Sequence, residues 1–242
     1  MTTINKYLEI QLIESFMPMI KGMETTFSFT LKKHFNEQEI KEILKLAQEH
    51  FDKVKTILPN VGSQSPWLKN MVGITYEIGL WKQLIERNMT LNEISVLTQE
   101  TLMTILQKQV TPDAVKNIGA MMCSQTYVEK IANYSHLEEF PDDWIFDCVK
   151  PAVEDKFQIG MNIRKCPIGS LCESFNVKGF YPYLCINDYV THSMLGIELK
   201  RTQTLAGGAG CCDFRLFYTG NSCATVITEP QKLEEFNKNQ KQ

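Results

Sequence analysis

The sequence predicts an α+β protein, with a helical N-terminal half packed on a C-terminal antiparallel sheet with helices. Apolar residues recur at helical spacing through most of the first 140 positions, and strand-length runs of aromatic and β-branched residues follow Pro141. With 43% apolar residues, the 242-residue chain can also bury a sizeable core. We therefore expect a helical region over residues 1–140, an α+β region over 141–229 and a polar tail over 230–242.

Capping signals place the first two predicted helices. Asn36 and Glu39 form a capping-box pattern in front of an apolar stripe that runs to Leu58. The pair 65–66, Ser-Pro, has the composition of an N-cap and first helical residue, and the stripe behind it predicts a helix ending near Asn88.

The next two helices begin with similar signals. Thr90 and Glu93 repeat the capping box, and the pair 111–112, Thr-Pro, predicts a helical stretch that reaches about Ile131. The Met and Ile stripes of these helices are typical of helix packing rather than of a cofactor site.

The second half mixes short strands with short helices. Glycines at 207, 208 and 210 favour a hairpin turn between the last two strands. The predicted strands cover residues 144–149, 157–163, 197–205 and 212–218, and the predicted helices cover 171–175 and 181–195.

Composition limits the class of partner. A net charge of −3 without a basic segment argues against nucleic acid, and no apolar run approaches a membrane span. The N-terminus lacks a signal-peptide pattern, so we expect a cytoplasmic protein whose eight cysteines stay reduced. The expected partner is a small-molecule substrate without a cofactor, and the sequence leaves room for a homodimer.

A predicted helix from Tyr181 carries three groups with chemical potential. Cys185, Asp188 and His192 are spaced i, i+3 and i+7, which places them along one helix face. Such a face can supply a nucleophile, a base and an orienting group.

The last predicted strand carries a second set of polar groups. Because side chains alternate along a strand, Cys212 and Phe214 should share one face, and Cys211, Asp213 and Arg215 the other. A disulfide between the adjacent cysteines would need a geometry that neighbouring residues rarely reach.

Two arginines flank this hairpin. Arg201 and Arg215 can hold a carboxylate through a bidentate fork, or they are solvated strand charges. A metal site formed by Cys212 with Cys185 or Cys166 lacks the CxxC spacing of structural zinc, so no metal is expected.

Residues 58–62, 65–70, 182–189 and 201–215 are four segments with motifs of a known kind. Together they resemble the L-2-amino-thiazoline-4-carboxylic acid hydrolase family. The resemblance runs from about residue 35 to 218 and implies hydrolytic opening of a 2-aminothiazoline ring toward carbamoyl-cysteine and hence cysteine.

The C-terminal half is also similar to the vinyl-reductase-type small-ligand domain. Zinc-bearing members of that group carry a Glu and two Cys across this hairpin, where this chain has Arg201, Thr204 and Cys212. That departure also implies no zinc. Lys165 stands before Cys166, where the hydrolases often have an acidic residue.

The resemblance implies a pocket between the C-terminal sheet and the helix of Cys185 and Asp188. A carboxylate, Asp188 or Asp213, can activate water, or a thiol, Cys212 or Cys185, can attack the amidine-like ring carbon; both routes stay open. The predicted catalytic residues are Asp188, Cys212, Asp213 and Cys185, and the predicted substrate-binding residues are Arg201, Thr204, Arg215 and His192.

Two other classes of function fit the same residues. One is a non-catalytic small-ligand sensor or docking module, in which the pocket exists without a positioned base. The other is a thiol-based or metal-binding regulatory domain.

Overall fold

A computed structural model describes residues 11–63 and 65–223 of the chain. The first half of the described chain is helical, starting with residues 11–15. The helices that follow are α1 (Met17–Thr30, with a 3₁₀ turn at Leu31–Lys33), α2 (Glu37–Val54), α3 (Leu68–Glu86), α4 (Leu91–Gln109), a segment with a π-helical centre (Pro112–Ala114, Val115–Gly119, Ala120–Met122) and α5 (Gln125–Ser135).

The second half forms a four-stranded antiparallel sheet with short helices, in the spatial order β1-β2-β4-β3. The α+β fold predicted from the sequence is therefore confirmed. Its elements are β1 (Ile145–Val149), β2 (Ile159–Lys165), α6 (Pro167–Ser174), a 3₁₀ turn (Lys178–Phe180), α7 (Tyr181–Leu184), α8 (Asn187–Met194), β3 (Ile197–Lys200), a 3₁₀ turn (Leu205–Gly207) and β4 (Cys212–Tyr218).

Both predicted capping boxes are present. The Asn36 side chain accepts hydrogen bonds from the backbone of Gln38 and Glu39 at 3.0 Å, and the Glu39 carboxylate accepts one from the Asn36 backbone. Thr90 and Glu93 make the same reciprocal pair at the start of α4. These local bonds satisfy backbone donors that the first turn of a helix leaves without partners.

The predicted start of α3 is wrong by two residues. The Ser65 hydroxyl does not cap the helix but donates to the buried carboxylate of Asp143 at 2.9 Å, and the helix begins at Leu68. The predicted stop is confirmed, because α3 ends at Glu86 and Asn88 adopts a positive φ of 66°.

Two predicted helices are interrupted. The stretch toward Ile131 breaks at Cys123, and the Ser124 hydroxyl caps the new helix α5. The predicted helix over 181–195 breaks at Cys185, whose carbonyl accepts a hydrogen bond from Arg201 at 3.0 Å. The single face expected for Cys185, Asp188 and His192 therefore does not exist, since Cys185 precedes α8.

Strand β3 ends five residues before its predicted end at Leu205. After Lys200 the backbone leaves the sheet, and the amides of Thr202 and Gln203 donate to the Asp213 carboxylate instead of to a strand. The glycine turn is present in a longer connection, where Gly208 has a φ of 90°.

One hydrophobic core joins the helical half to the sheet. It includes Trp81 of α3 together with Phe146 of β1 and Leu216 of β4, all fully buried. Within the described residues, no helix has both the length and the apolar character needed to cross a membrane. The polar tail predicted over 230–242 lies outside the described residues.

Candidate active site

The centre of the site is an ion pair between α8 and the loop after β3. Arg201 Nη1 donates to Asp188 Oδ2 at 2.8 Å, and Nη2 donates to the Cys185 carbonyl at 3.0 Å. The Arg201 side chain is fully buried, whereas that of Asp188 is 40% exposed. Tyr189 and Phe214 place their rings 5.2 and 5.1 Å from the guanidinium. The pair therefore fixes the position of a carboxylate that solvent or a ligand can still reach.

His192 lies one turn further along α8 and supports this arrangement. Its Nδ1 donates to the Asp188 carbonyl at 2.7 Å, and its ring stands 5.9 Å from that of Phe214. Burial lowers the pKa of the imidazole, because it disfavours the charged form. His192 is therefore neutral near pH 7 and does not line the cavity described below.

The predicted nucleophiles are protonated thiols. Burial raises the pKa of Cys212 to about 12 and the pKa of Cys185 well above its ordinary value. The Cys212 sulfur also accepts a hydrogen bond from the Leu205 amide at 3.2 Å. Because the thiolate is the reactive form, neither group is activated for attack in this structure.

The other predicted site residues make their hydrogen bonds within the loop after β3 or within the sheet. Asp213 accepts three hydrogen bonds from Thr202 and Gln203, and the buried Thr204 hydroxyl accepts one from the Gly207 amide. Arg215 lies on the opposite face of β4 from Phe214, where it donates to Asn162 and stands 5.3 Å from the ring of Phe157. The structure does not bring Arg215 together with Arg201.

A cavity of about 570 Å³ lies on the other side of α8 from the sheet. Helices α1, α3, α4 and α8 enclose it, and no sheet residue lines it among the described positions, in contrast to the pocket expected from the sequence. Of the predicted site residues, Asp188 lines this cavity. Its walls are mainly apolar, and its volume falls within the range of small-molecule sites. The apolar lining includes Met19, Met23, Phe27, Ile74, Leu102 and Ile105.

Glu77 is a candidate-site residue that the sequence-based prediction did not include. It lies on α3, is 7% exposed and lines the cavity, and burial raises its pKa from an ordinary value of 4.5 to about 8. It is the single charged residue between Met71 and Trp81, in a helix segment that is buried almost all round. One acidic residue in such an apolar stretch was the available signal.

Asn187 lies between the two carboxyl-bearing residues: it contacts Glu77 and directly precedes Asp188 in α8. Its Nδ2 donates to Glu77 Oε2 at 3.5 Å, and its side-chain oxygen is buried with no hydrogen-bond partner among the described residues. Asp188 is the next residue of α8 and lines the same cavity. One end of the cavity therefore combines a protonated carboxyl with a carboxylate held by Arg201.

Two carboxyl groups in such different environments can divide acid and base roles. Glu77, protonated near pH 7, can donate a proton, and Asp188 can accept one. Asp188 Oδ1 makes no hydrogen bond to another residue in the described part of the chain, so the atom can contact a ligand or a water. The described residues contain no group of three or more His, Cys, Asp or Glu side chains suited to a metal ion.

Comparison with known proteins gives one family. A family model described as L-2-amino-thiazoline-4-carboxylic acid hydrolase matches residues 80–216, which is more than half of the chain. The matched region contains Asn187, Asp188 and Arg201, and it begins three residues after Glu77. A comparison with curated proteins gives no match.

Proposed function

Since the chain belongs to the L-2-amino-thiazoline-4-carboxylic acid hydrolase family, we propose that it hydrolyses the ring of 2-amino-thiazoline-4-carboxylate or of a related cyclic amidine. The proposed site is the Glu77, Asn187 and Asp188 end of the cavity between α1, α3, α4 and α8. The observation that carries this placement is a buried protonated carboxyl beside a carboxylate fixed by Arg201, both lining one cavity.

Activation of the ring is the first proposed step. The amidine nitrogen of the ring is basic, so the neutral Glu77 carboxyl transfers its proton to it. The ring carbon between nitrogen and sulfur then becomes more electrophilic. Asn187 supports this step, because its side-chain amide donates to Glu77 Oε2 at 3.5 Å and so helps to hold the carboxyl in place.

Addition of water follows. Asp188 takes one proton from the water while the water oxygen bonds to the ring carbon, which gives a tetrahedral intermediate. As this intermediate collapses, its hydroxyl proton returns to Glu77, the carbon–sulfur bond breaks, and the departing sulfur takes the proton from Asp188. The product is a carbamoyl amine with a free thiol, and both carboxyl groups regain their starting states.

The state of the cysteines favours water over a thiol as the attacking group. Cys212 and Cys185 are protonated at neutral pH, and neither lines the cavity. Asp188, by contrast, lines the cavity and is held in place by Arg201. We therefore assign the base to Asp188 and no covalent role to the thiols.

A thiol-release assay tests the proposal. The protein is incubated with L-2-amino-thiazoline-4-carboxylate, the new thiol is titrated with a chromogenic reagent after removal of the protein, and the product mass is checked for one added water. Turnover that survives Cys212→Ser but not Glu77→Gln supports the proposal. Tight binding without turnover would favour the rival class, a ligand-binding module, and loss of turnover in Cys212→Ser would favour the thiol route.

A further inference from the structure

The cavity is longer than a compact ring compound requires, and its two ends differ in burial and in charge. Residues 69, 70, 73, 74 and 77 of α3 all line it, so this face of the helix forms one continuous wall. Lys69 and Asn70 are exposed, whereas Gly73 and Glu77 are buried. The wall therefore runs from an exposed rim to a buried end, and Lys69 lies about 12 Å from Glu77 at a helical rise of about 1.5 Å per residue.

The cavity-lining residues of helix α4, on the facing wall, also change from buried to exposed along the helix. Its cavity-lining residues start at the buried Thr98 and end at Lys108 and Gln109, which are exposed. Two lysines thus stand on the rim, one on each helix. Neither Lys69 nor Lys108 forms an ion pair with another residue of the described chain.

The buried end has the opposite character. The buried Glu77 carboxyl and the Asp188 carboxylate, which is 40% exposed, present acceptor oxygens there. A planar group with several N–H donors, such as an amidine or guanidine, fits these acceptors. Between the two ends the wall is mainly apolar, with Met23, Phe27, Ile74, Leu102 and Ile105 beside Thr26 and Thr101.

We propose that the cavity selects an elongated ligand with an N–H-rich amidine or guanidine head, an apolar arm and a carboxylate that reaches Lys69 and Lys108. This deepens the proposed function and rests on it in taking the Glu77 end as the reacting end. In the compact 2-amino-thiazoline-4-carboxylate the carboxylate is joined directly to the ring, so it cannot span the apolar middle. The preferred substrate is then a 2-aminothiazoline whose carboxylate lies at the end of an apolar arm.

Unreactive guanidino acids of increasing length test this inference by calorimetric titration. The series is guanidinoacetate, 4-guanidinobutanoate, 6-guanidinohexanoate and 8-guanidinooctanoate, with hexylguanidine as the probe that lacks a carboxylate. We expect the two longest acids to bind at least about tenfold more tightly than guanidinoacetate, because each added methylene removes apolar surface from water. Hexylguanidine should bind more weakly than 6-guanidinohexanoate.

Rim variants separate the carboxylate contact from the apolar arm. The double variant Lys69→Met/Lys108→Met should bind 6-guanidinohexanoate and hexylguanidine equally while keeping its affinity for guanidinoacetate. Lys45→Met, on the exposed face of α2 and outside the cavity, is the matched control and should behave as the wild type. An affinity that does not depend on length, an unchanged preference for the carboxylate in the double variant, or no binding of any probe would overturn the inference.

The thiol-release assay keeps this outcome distinct from that of the proposed function. Turnover of the compact ring compound without any length dependence would remove the inference and leave the hydrolase proposal standing. Length-dependent binding without turnover of any 2-aminothiazoline would remove the hydrolase proposal and leave the selection of elongated ligands standing.

Discussion

Arg201 places a fully buried guanidinium 2.8 Å from the carboxylate of Asp188, which remains 40% exposed at the wall of the cavity. The two partners therefore differ in what their removal leaves behind. Without Asp188 the guanidinium stays buried without its counter-charge, whereas without Arg201 the Asp188 carboxylate can be hydrated from the cavity side.

This asymmetry predicts unequal losses of stability. Asp188→Ala should lower the free energy of unfolding by about 3–5 kcal/mol, the cost of stranding a buried charge. Arg201→Met should cost less, about 1–2 kcal/mol, since the apolar stem is kept and the remaining charge is solvated. Urea unfolding of both variants measures the difference, and an equal or reversed order would contradict the account.

A surface ion pair provides the control. Arg164 and Asp147 are as close, at 2.7 Å, but their side chains are 48% and 36% exposed. Asp147→Ala should therefore cost no more than about 1 kcal/mol.

Glu77 predicts how stability changes with pH. Its pKa is raised from 4.5 to about 8 in the folded protein, so the folded state holds a proton that the unfolded state releases. The stabilisation from this proton is complete below pH 4.5 and is lost as the pH rises to 8, with a slope of at most about 1.4 kcal/mol per pH unit. In urea unfolding, the free energy of unfolding of Glu77→Gln should change less with pH over this window than that of the wild type. That of Glu86→Gln, at the exposed end of α3, should follow the wild type.

The same carboxyl predicts the alkaline limb of activity. If Glu77 donates a proton to the ring, kcat/KM should fall above about pH 8, where the free enzyme loses that proton. Glu77→Gln should lower kcat/KM by about 100-fold or more and remove the limb. A wild-type profile that is flat from pH 7 to 9 would exclude this role for Glu77.

Two helix glycines should respond to alanine with opposite signs. A Cβ atom at Gly22, on the cavity rim of α1, meets no atom within 4 Å, so Gly22→Ala should stabilise the helix by up to about 1 kcal/mol. At Gly79 the new Cβ would stand 2.9 Å from the ring of His50 and 3.0 Å from the Ala47 carbonyl, so Gly79→Ala should destabilise the packing of α2 on α3. Thermal unfolding of the two variants tests both signs, and equal shifts would contradict them.

Local signals in the sequence were sufficient for much of the fold. The capping boxes of Asn36 and Thr90 involve residues three positions apart, and both are present. Ser65 was misplaced because its partner, Asp143, lies 78 positions away. The break at Cys185 likewise depends on Arg201, 16 positions later, which takes a carbonyl that a continuous helix would use.

The sequence identified part of the candidate site. Asp188 and Arg201 were identified as site residues, but their direct pairing depends on the loop after β3, which the strand pattern did not predict. Glu77 was missed because its burial results from helices packing around all sides of α3, and helical periodicity marks only one apolar face.

The role of Asp188 as the base is tested by the turnover number of Asp188→Asn, measured under saturating L-2-amino-thiazoline-4-carboxylate. The asparagine keeps the shape of the side chain and a hydrogen-bond acceptor for Arg201 but cannot take a proton from water. If Asp188 is the base, kcat should fall by about 100- to 10,000-fold, the range for removal of a general base, in a variant that still binds the compound. A variant with wild-type kcat would contradict the assignment of Asp188 as the base.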